Sequence, residues 1–198
     1  MALSTHFPST LVGTEAIDRT PEVPPTCASV PSFDDVYRQH FAFVWRGAKR
    51  LGVRDAGLDD VVQEVFVIVH RKLGDFEGRS SLRTWLFGIT LRVARDHRRS
   101  AAQRTHEPLD PETLRATAPT PGESLEKAEA VRLLHALLDE LDDERREIFV
   151  MAELEQITMP EIATTLGLNV NTAHARLRAA RHAFEAALAR HRAREARR

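Results

Sequence analysis

The feature that most restricts the fold is a pair of blocks with apolar residues at steps of three and four, separated by a stretch where that period vanishes. Residues 32–100 carry the first block and residues 125–190 the second. Between them, residues 101–124 hold Pro108, Pro111, Pro119, Pro121 and Gly122 together with the acids Glu107, Asp110, Glu112 and Glu123. Steps of three and four place apolar side chains on one face of a helix, whereas prolines without a period mark a linker. In the first block Ser32 stands as an N-cap three residues before Asp35. Phe33, Val36, Tyr37, His40, Phe41, Val44, Ala48 and Leu51 then form one face, and Gly52 suits the helix end. Leu58, Val61, Val62, Val65, Phe66 and Val69 form the next. Their β-branching favours a strand, but polar and apolar residues do not alternate, which decides for a helix. After a loop at 74–80, Leu82, Trp85, Leu86, Ile89 and Val93 make a third face that places Trp85 in the core and runs out into a basic segment.

In the second block Leu125, Ala128, Val131, Leu134, Leu138 and Leu141 make one stripe, and Asp142 can cap a following helix that buries Ile148, Phe149 and Ala152. Thr158 and Glu161 have capping-box spacing, and Pro160 falls in the tolerant first turn. Ile162, Ala163 and Leu166 point inward, and Gly167 is placed to terminate that helix. Asn169 caps a last helix with Ala173, Leu177, Ala180, Phe184 and Leu188 on its inner face. The expected fold class is all-α, with two small helical domains joined by a flexible linker. Residues 1–31, rich in Pro, Ser and Thr, are expected to be a disordered extension, and residues 191–198 a basic tail.

Charge narrows the function. The net charge is only -1, yet it is segregated. Arg92, Arg95, Arg98, Arg99 and Arg104 crowd one stretch and Arg176, Arg178, Arg181 and Arg190 another, while Asp139, Glu140, Asp142, Asp143, Glu144 and Glu147 gather between them. Separation of this kind points to faces with different partners. The histidines form no HExxH or paired His/Asp cluster, and there is no Gly-rich phosphate loop or Gly-x-Ser-x-Gly. No catalytic residue, metal site or cofactor is therefore expected, and the chain is read as a non-enzyme. A single cysteine, Cys27, rules out an internal disulfide. Without a secretory signal or a membrane-length apolar run, the expected location is the cytoplasm, with no membrane insertion.

A short capped helix, a glycine turn and a longer basic helix read as a helix-turn-helix. Burying Ala173, Leu177 and Ala180 leaves His174, Arg178 and Arg181 outward, with Asn171, Thr172 and Ala175 near the N-terminal end. That end of a recognition helix reaches base edges in the major groove, while flanking arginines hold phosphates. An ordinary helix-turn-helix regulator, binding an operator without polymerase, would account for residues 125–190 but leave residues 32–100 unexplained.

Residues 60–66 (DVVQEVF), 76–89 (FEGRSSLRTWLFGI) and 96–99 (DHRR) together resemble region 2 of the extracytoplasmic-function sigma factors. Residues 138–188, with RREIF at 145–149, EIA at 161–163 and TAHARLRAAR at 172–181, resemble region 4. The resemblance implies a factor that binds core RNA polymerase and directs promoter-specific initiation by recognising and melting promoter DNA. It implies that Asp60, Gln63 and Glu64 dock on the polymerase clamp; Asp60 and Gln63 also have the spacing of a local capping box. It implies that the loop from Phe76 through Arg79, Ser80 and Ser81 captures an unstacked base of the minus-ten element, with Arg92 at the position beside that base and Arg95, Arg98 and Arg99 on the backbone phosphates. It implies that His174, Ala175 and Arg178 face the minus-thirty-five bases and that Arg176 and Arg181 hold phosphates. An anti-sigma factor is the further partner usual in the family. The chain departs from the family pattern at Arg92, where many members carry Asn, and at Asn171, Ala173 and His174.

Overall fold

The computed structural model describes residues 31–104 and 125–197. Among these, every element is helical. The first unit comprises α1 (Phe33–Arg50), α2 (Asp55–Lys72) and α3 (Leu82–Arg104), with a 3₁₀ turn at Leu73–Asp75 after α2. Each of the three packs on the other two. The second unit comprises α4 (Leu125–Asp139), α5 (Asp143–Phe149), α6 (Met159–Leu166) and α7 (Val170–Glu195), with one π-helical turn at Val150–Leu154 continuing α5. α7 is its spine, packing against α4, α5 and α6.

Local chemistry sets the helix ends. The Ser32 hydroxyl accepts from the Asp35 N–H at 3.2 Å, and the Asp142 carboxylate accepts from the Arg145 N–H at 2.9 Å. Caps of this kind each contribute about 1 kcal/mol. α1 ends at Leu51 because Gly52 adopts φ +87, a left-handed conformation that a side chain disfavours. Gly167 ends α6 in the same way, at φ 67.

The segment from Leu58 to Val69 is helical throughout, so the spacing of its apolar residues overrides its β-branched composition. Three expectations need correction. α2 begins at Asp55, which puts Asp60 and Gln63 inside the helix rather than at a capping box. Tyr37 and Phe41, expected in the core, are 42% and 39% exposed, because α1 turns its buried stripe toward Val36, Phe43, Val44 and Ala48. In α4 the apolar stripe is buried only at its end: Leu137, Leu138 and, just beyond the helix, Leu141 are covered, whereas Val131 is 47% exposed.

The expected linker begins inside α3, which runs to Arg104, and α7 carries the expected basic tail as helix to Glu195. Residues 1–30 and the stretch 105–124 lie outside the described residues. The buried side chains of the two units form one contiguous cluster, from Val36 and Phe87 to Ile148, Ile162 and Ala180. Among the described residues no helix is long and apolar enough to cross a membrane.

Candidate nucleic-acid interface

The helix-turn-helix is built as its sequence requires. The Thr158 hydroxyl and N–H both donate to the Glu161 carboxylate, at 2.7 and 3.3 Å, closing a capping box that starts α6. These hydrogen bonds hold the Glu161 carboxyl below its usual pKa range. The Leu168 N–H returns to Ala163 O at 2.8 Å, wrapping the turn around Gly167. The Asn169 side chain then accepts from the Asn171 N–H at 2.8 Å and starts α7. Ile162, Ala163, Ala173, Leu177 and Ala180 are buried between the two helices and the rest of the unit. Full burial of a large aliphatic side chain contributes about 1.5–3 kcal/mol, enough to fix the angle at which α7 is presented.

That packing leaves Asn171, Thr172, His174, Ala175 and Arg178 exposed in the first turns of α7. The flanking cations are held in place. Arg176, half-buried, pairs with Glu144 at 3.0 Å, and Arg181 pairs with Glu153 at 2.7 Å. Arg178 is thus the exposed guanidinium standing between two tethered ones.

The first unit carries a second surface. Ser81 caps α3, its hydroxyl accepting from the Thr84 N–H at 3.0 Å. Phe76 is half-buried, its ring 5.3 Å from that of Trp85. Trp85 is only partly buried, so it joins the core edge to the loop. Arg79 is exposed and paired with Glu77, and Ser80 is half-buried beside Ser81. Arg92 and Arg99 are exposed on α3, Arg99 lying 3.8 Å from Asp96.

Arg95 and Arg98, expected beside them on DNA, face the second unit instead. Arg95 Nε donates to Glu147 at 2.7 Å, and Arg98 lies 2.9 Å from Asp143 and 3.5 Å from the same Glu147. Hydrogen bonding to Glu147 raises the Arg95 pKa, whereas burial lowers that of Arg98.

A third surface lies on the far side of α2. Asp60, Gln63 and Glu64 are exposed there. Gln63 borders a groove lined by Phe33, Tyr37, Phe41, Phe66 and Val67, with Asp59 at its rim. The Tyr37 ring stands 4.7 Å from that of Phe66. The sequence reading put Phe33, Tyr37 and Phe41 on the apolar face of α1, but it gave no sign that they line an open groove.

The family described as Sigma-70 region 2 matches residues 36–104, and Sigma-70, region 4 matches residues 132–183. The chain is 31% identical over 186 residues to the ECF RNA polymerase sigma factor SigE of Mycolicibacterium smegmatis, covering 90% of this chain and 68% of that one. The structure of CnrH in complex with the cytosolic domain of CnrY superposes with a TM-score of 0.57 at 27% identity, covering 79% of this chain and 86% of that chain. The sigma factor RpoE, solved with the anti-sigma factor NepR from Bartonella quintana, has the same fold, with a TM-score of 0.64 at 20% identity over 79% of this chain and 96% of that one. With both regions matched in order, each on its own helical unit, the chain belongs to the sigma-70 family, among the extracytoplasmic-function RNA polymerase sigma factors.

Proposed function

We propose that this sigma factor binds core RNA polymerase and directs it to promoters through two separate DNA-facing surfaces, catalysing no covalent chemistry itself. The observation that carries the reading is the presentation of α7: its N-terminal turns are exposed, its inner face is locked by Ala173, Leu177 and Ala180, and its flanking arginines are pre-set by Glu144 and Glu153. A rigid helix of this form suits the major groove of the minus-thirty-five element. His174, Ala175 and Arg178 face base edges there, with Asn171 and Thr172 at the leading end, and Arg176 and Arg181 take phosphates.

Region 2 supplies the other half. The loop from Phe76 to Ser81, with Arg79 and Ser80 at its tip, receives an unstacked minus-ten base with Arg92 beside it, and Arg99 holds the backbone of the opened strand, joined by Arg95 and Arg98 when these leave Glu147. Asp60, Gln63 and Glu64 with the aromatic groove beside them form the contact with the polymerase clamp. An anti-sigma factor is a further partner, as RpoE has in NepR. The place of action is the cytoplasm, where polymerase and promoter are found.

The test is retardation of a promoter fragment with and without core polymerase. A specific complex that forms only when both proteins are present supports the sigma-factor reading. A specific shift by the chain alone, unchanged by polymerase, supports a conventional operator-binding regulator.

A further inference from the structure

Open apolar surface gathers in one place. Among the described residues five large hydrophobic side chains are exposed, and three of them, Tyr37, Phe41 and Val67, border the groove between α1 and α2. Phe66 is its floor, buried at 4% exposure, with the Phe41 ring stacked 6.2 Å away at 11°. The groove encloses about 720 Å³, within the range of sites that bury a ligand. A contiguous apolar opening of this kind marks a binding surface. Its two ends differ in charge. Asp59 stands toward Phe41, whereas His70 and Arg71 stand toward Phe33, whose ring lies 4.9 Å from that of His70.

The chain itself carries a matching occupant. α1 starts at Phe33, a wall of the groove, so the residues before it arrive at the end marked by His70 and Arg71. Residues 9–20 are the longest stretch ahead of α1 without a proline, and they hold Leu11, Val12 and Ile17, followed by Asp18. Extended, Leu11 to Ile17 spans ~23 Å, comparable with the ~18 Å of α2 between Asp59 and Arg71. Residues 18–32 reach up to about 50 Å, more than the return to α1 requires. Laid with Ile17 toward Phe33, the segment brings Asp18 to Arg71 and leaves its uncharged end, Thr10 and Leu11, beside Asp59. The tether supplies an effective concentration on the order of 1 mM, which a second copy of the chain would have to match.

We propose that residues 9–20 of this chain dock in the groove between α1 and α2, with Leu11, Val12 and Ile17 against Tyr37, Phe41 and Val67 and with Asp18 paired to Arg71. An intrinsic affinity of about 0.1 mM keeps the groove about 90% occupied at that effective concentration. Gln63 borders the same groove and belongs to the polymerase contact, so the segment and the clamp contend for one surface. The N-terminal extension thereby sets how tightly the factor binds core polymerase. This second step rests on the sigma-factor reading above, whereas the docking rests on the groove alone.

Paramagnetic relaxation in the full-length protein tests the docking. A nitroxide is placed at Thr14→Cys in a Cys27→Ser background of isotope-labelled protein. Docking predicts strong broadening of the Tyr37, Phe41, Val62 and Val67 signals, while α3, which contributes no residue to the groove, is spared. Leu11→Ser with Ile17→Ser should abolish that contrast. Weak broadening spread evenly over α1, α2 and α3 overturns the docking. Broadening passed to an isotope-labelled chain from a separate spin-labelled one assigns the groove to a second copy and overturns it as well. The same serine pair should tighten binding to core polymerase about tenfold if the groove is about 90% occupied in the parent protein. Docking with unchanged polymerase affinity overturns the regulatory step and removes the groove from the polymerase contact. If parent and variant both fail to bind polymerase, the sigma-factor reading falls, and the relaxation result still decides the docking.

Discussion

Gly52 and Arg146 come from opposite halves of the chain and meet so closely that a Cβ on Gly52 would lie 1.9 Å from Arg146 Nη1. Arg146 is buried at 8% exposure, and its Nε donates to Leu138 O at 2.8 Å, tying the end of α4 to α5. Gly52 is therefore glycine for two reasons: φ +87 and the guanidinium against it. Gly52→Ala should destabilise the protein by more than the roughly 1–2 kcal/mol that the backbone conformation alone costs. Arg146→Ala should cost about 1–3 kcal/mol by leaving buried carbonyls unpaired. In a double-mutant cycle by urea unfolding, Gly52→Ala should cost about 0.5–3 kcal/mol less once Arg146 is absent. Simple additivity would mean that the two residues do not meet.

Two histidines make the stability of the packed form depend on pH. His135 of α4 is held below its ordinary pKa of 6.5, first by burial and then by Lys49 and Arg50 across the interface; Asp139 and Asp55 oppose the shift. His40 of α1 is lowered by burial and by Arg83. Between the depressed folded values and the ordinary one, the unfolded chain binds more protons, so stability rises with pH there. The contribution is full above pH 6.5 and is lost as the pH falls through the folded values. Urea midpoints should therefore fall on acidification below pH 6.5, and His40→Gln with His135→Gln should flatten that part of the curve. An unchanged slope in the double variant would assign the dependence to other groups.

Arg178 and Arg181 should behave differently on DNA. Arg178 is exposed at the reading end of α7, whereas Arg181 is tied to Glu153. Arg178→Ala in the holoenzyme should relax discrimination at one base pair and cost about 1–3 kcal/mol on the cognate site. Arg181→Ala should weaken binding evenly across sequences and reduce the salt slope by about one phosphate contact. Quantitative binding to single-base variants of the minus-thirty-five element separates the two. Equal losses on every sequence for Arg178→Ala would remove it from base reading.

The helices were legible in the sequence because periodicity and caps agree: Ser32, Asp142, Asn169 and the Thr158–Glu161 pair all stand where the structure starts a helix. The exposed face of α7 followed from its buried one. What was hidden is the pairing between the halves. Arg95 and Glu147 are separated by 52 positions along the chain, and nothing local marks a surface arginine as facing a buried glutamate rather than solvent or phosphate. The exposed Tyr37 and Phe41 were missed because helical spacing identifies an apolar face but not whether a neighbour covers it.

The most direct measurement is transcription in vitro with purified core polymerase on a library of genomic promoter fragments, with and without this protein. Initiation at a discrete set of start sites, present only when the protein is added and shifted or lost with Arg178→Ala, is the predicted result. Absence of protein-dependent initiation from every fragment, under conditions where the polymerase responds to another sigma factor, would contradict it.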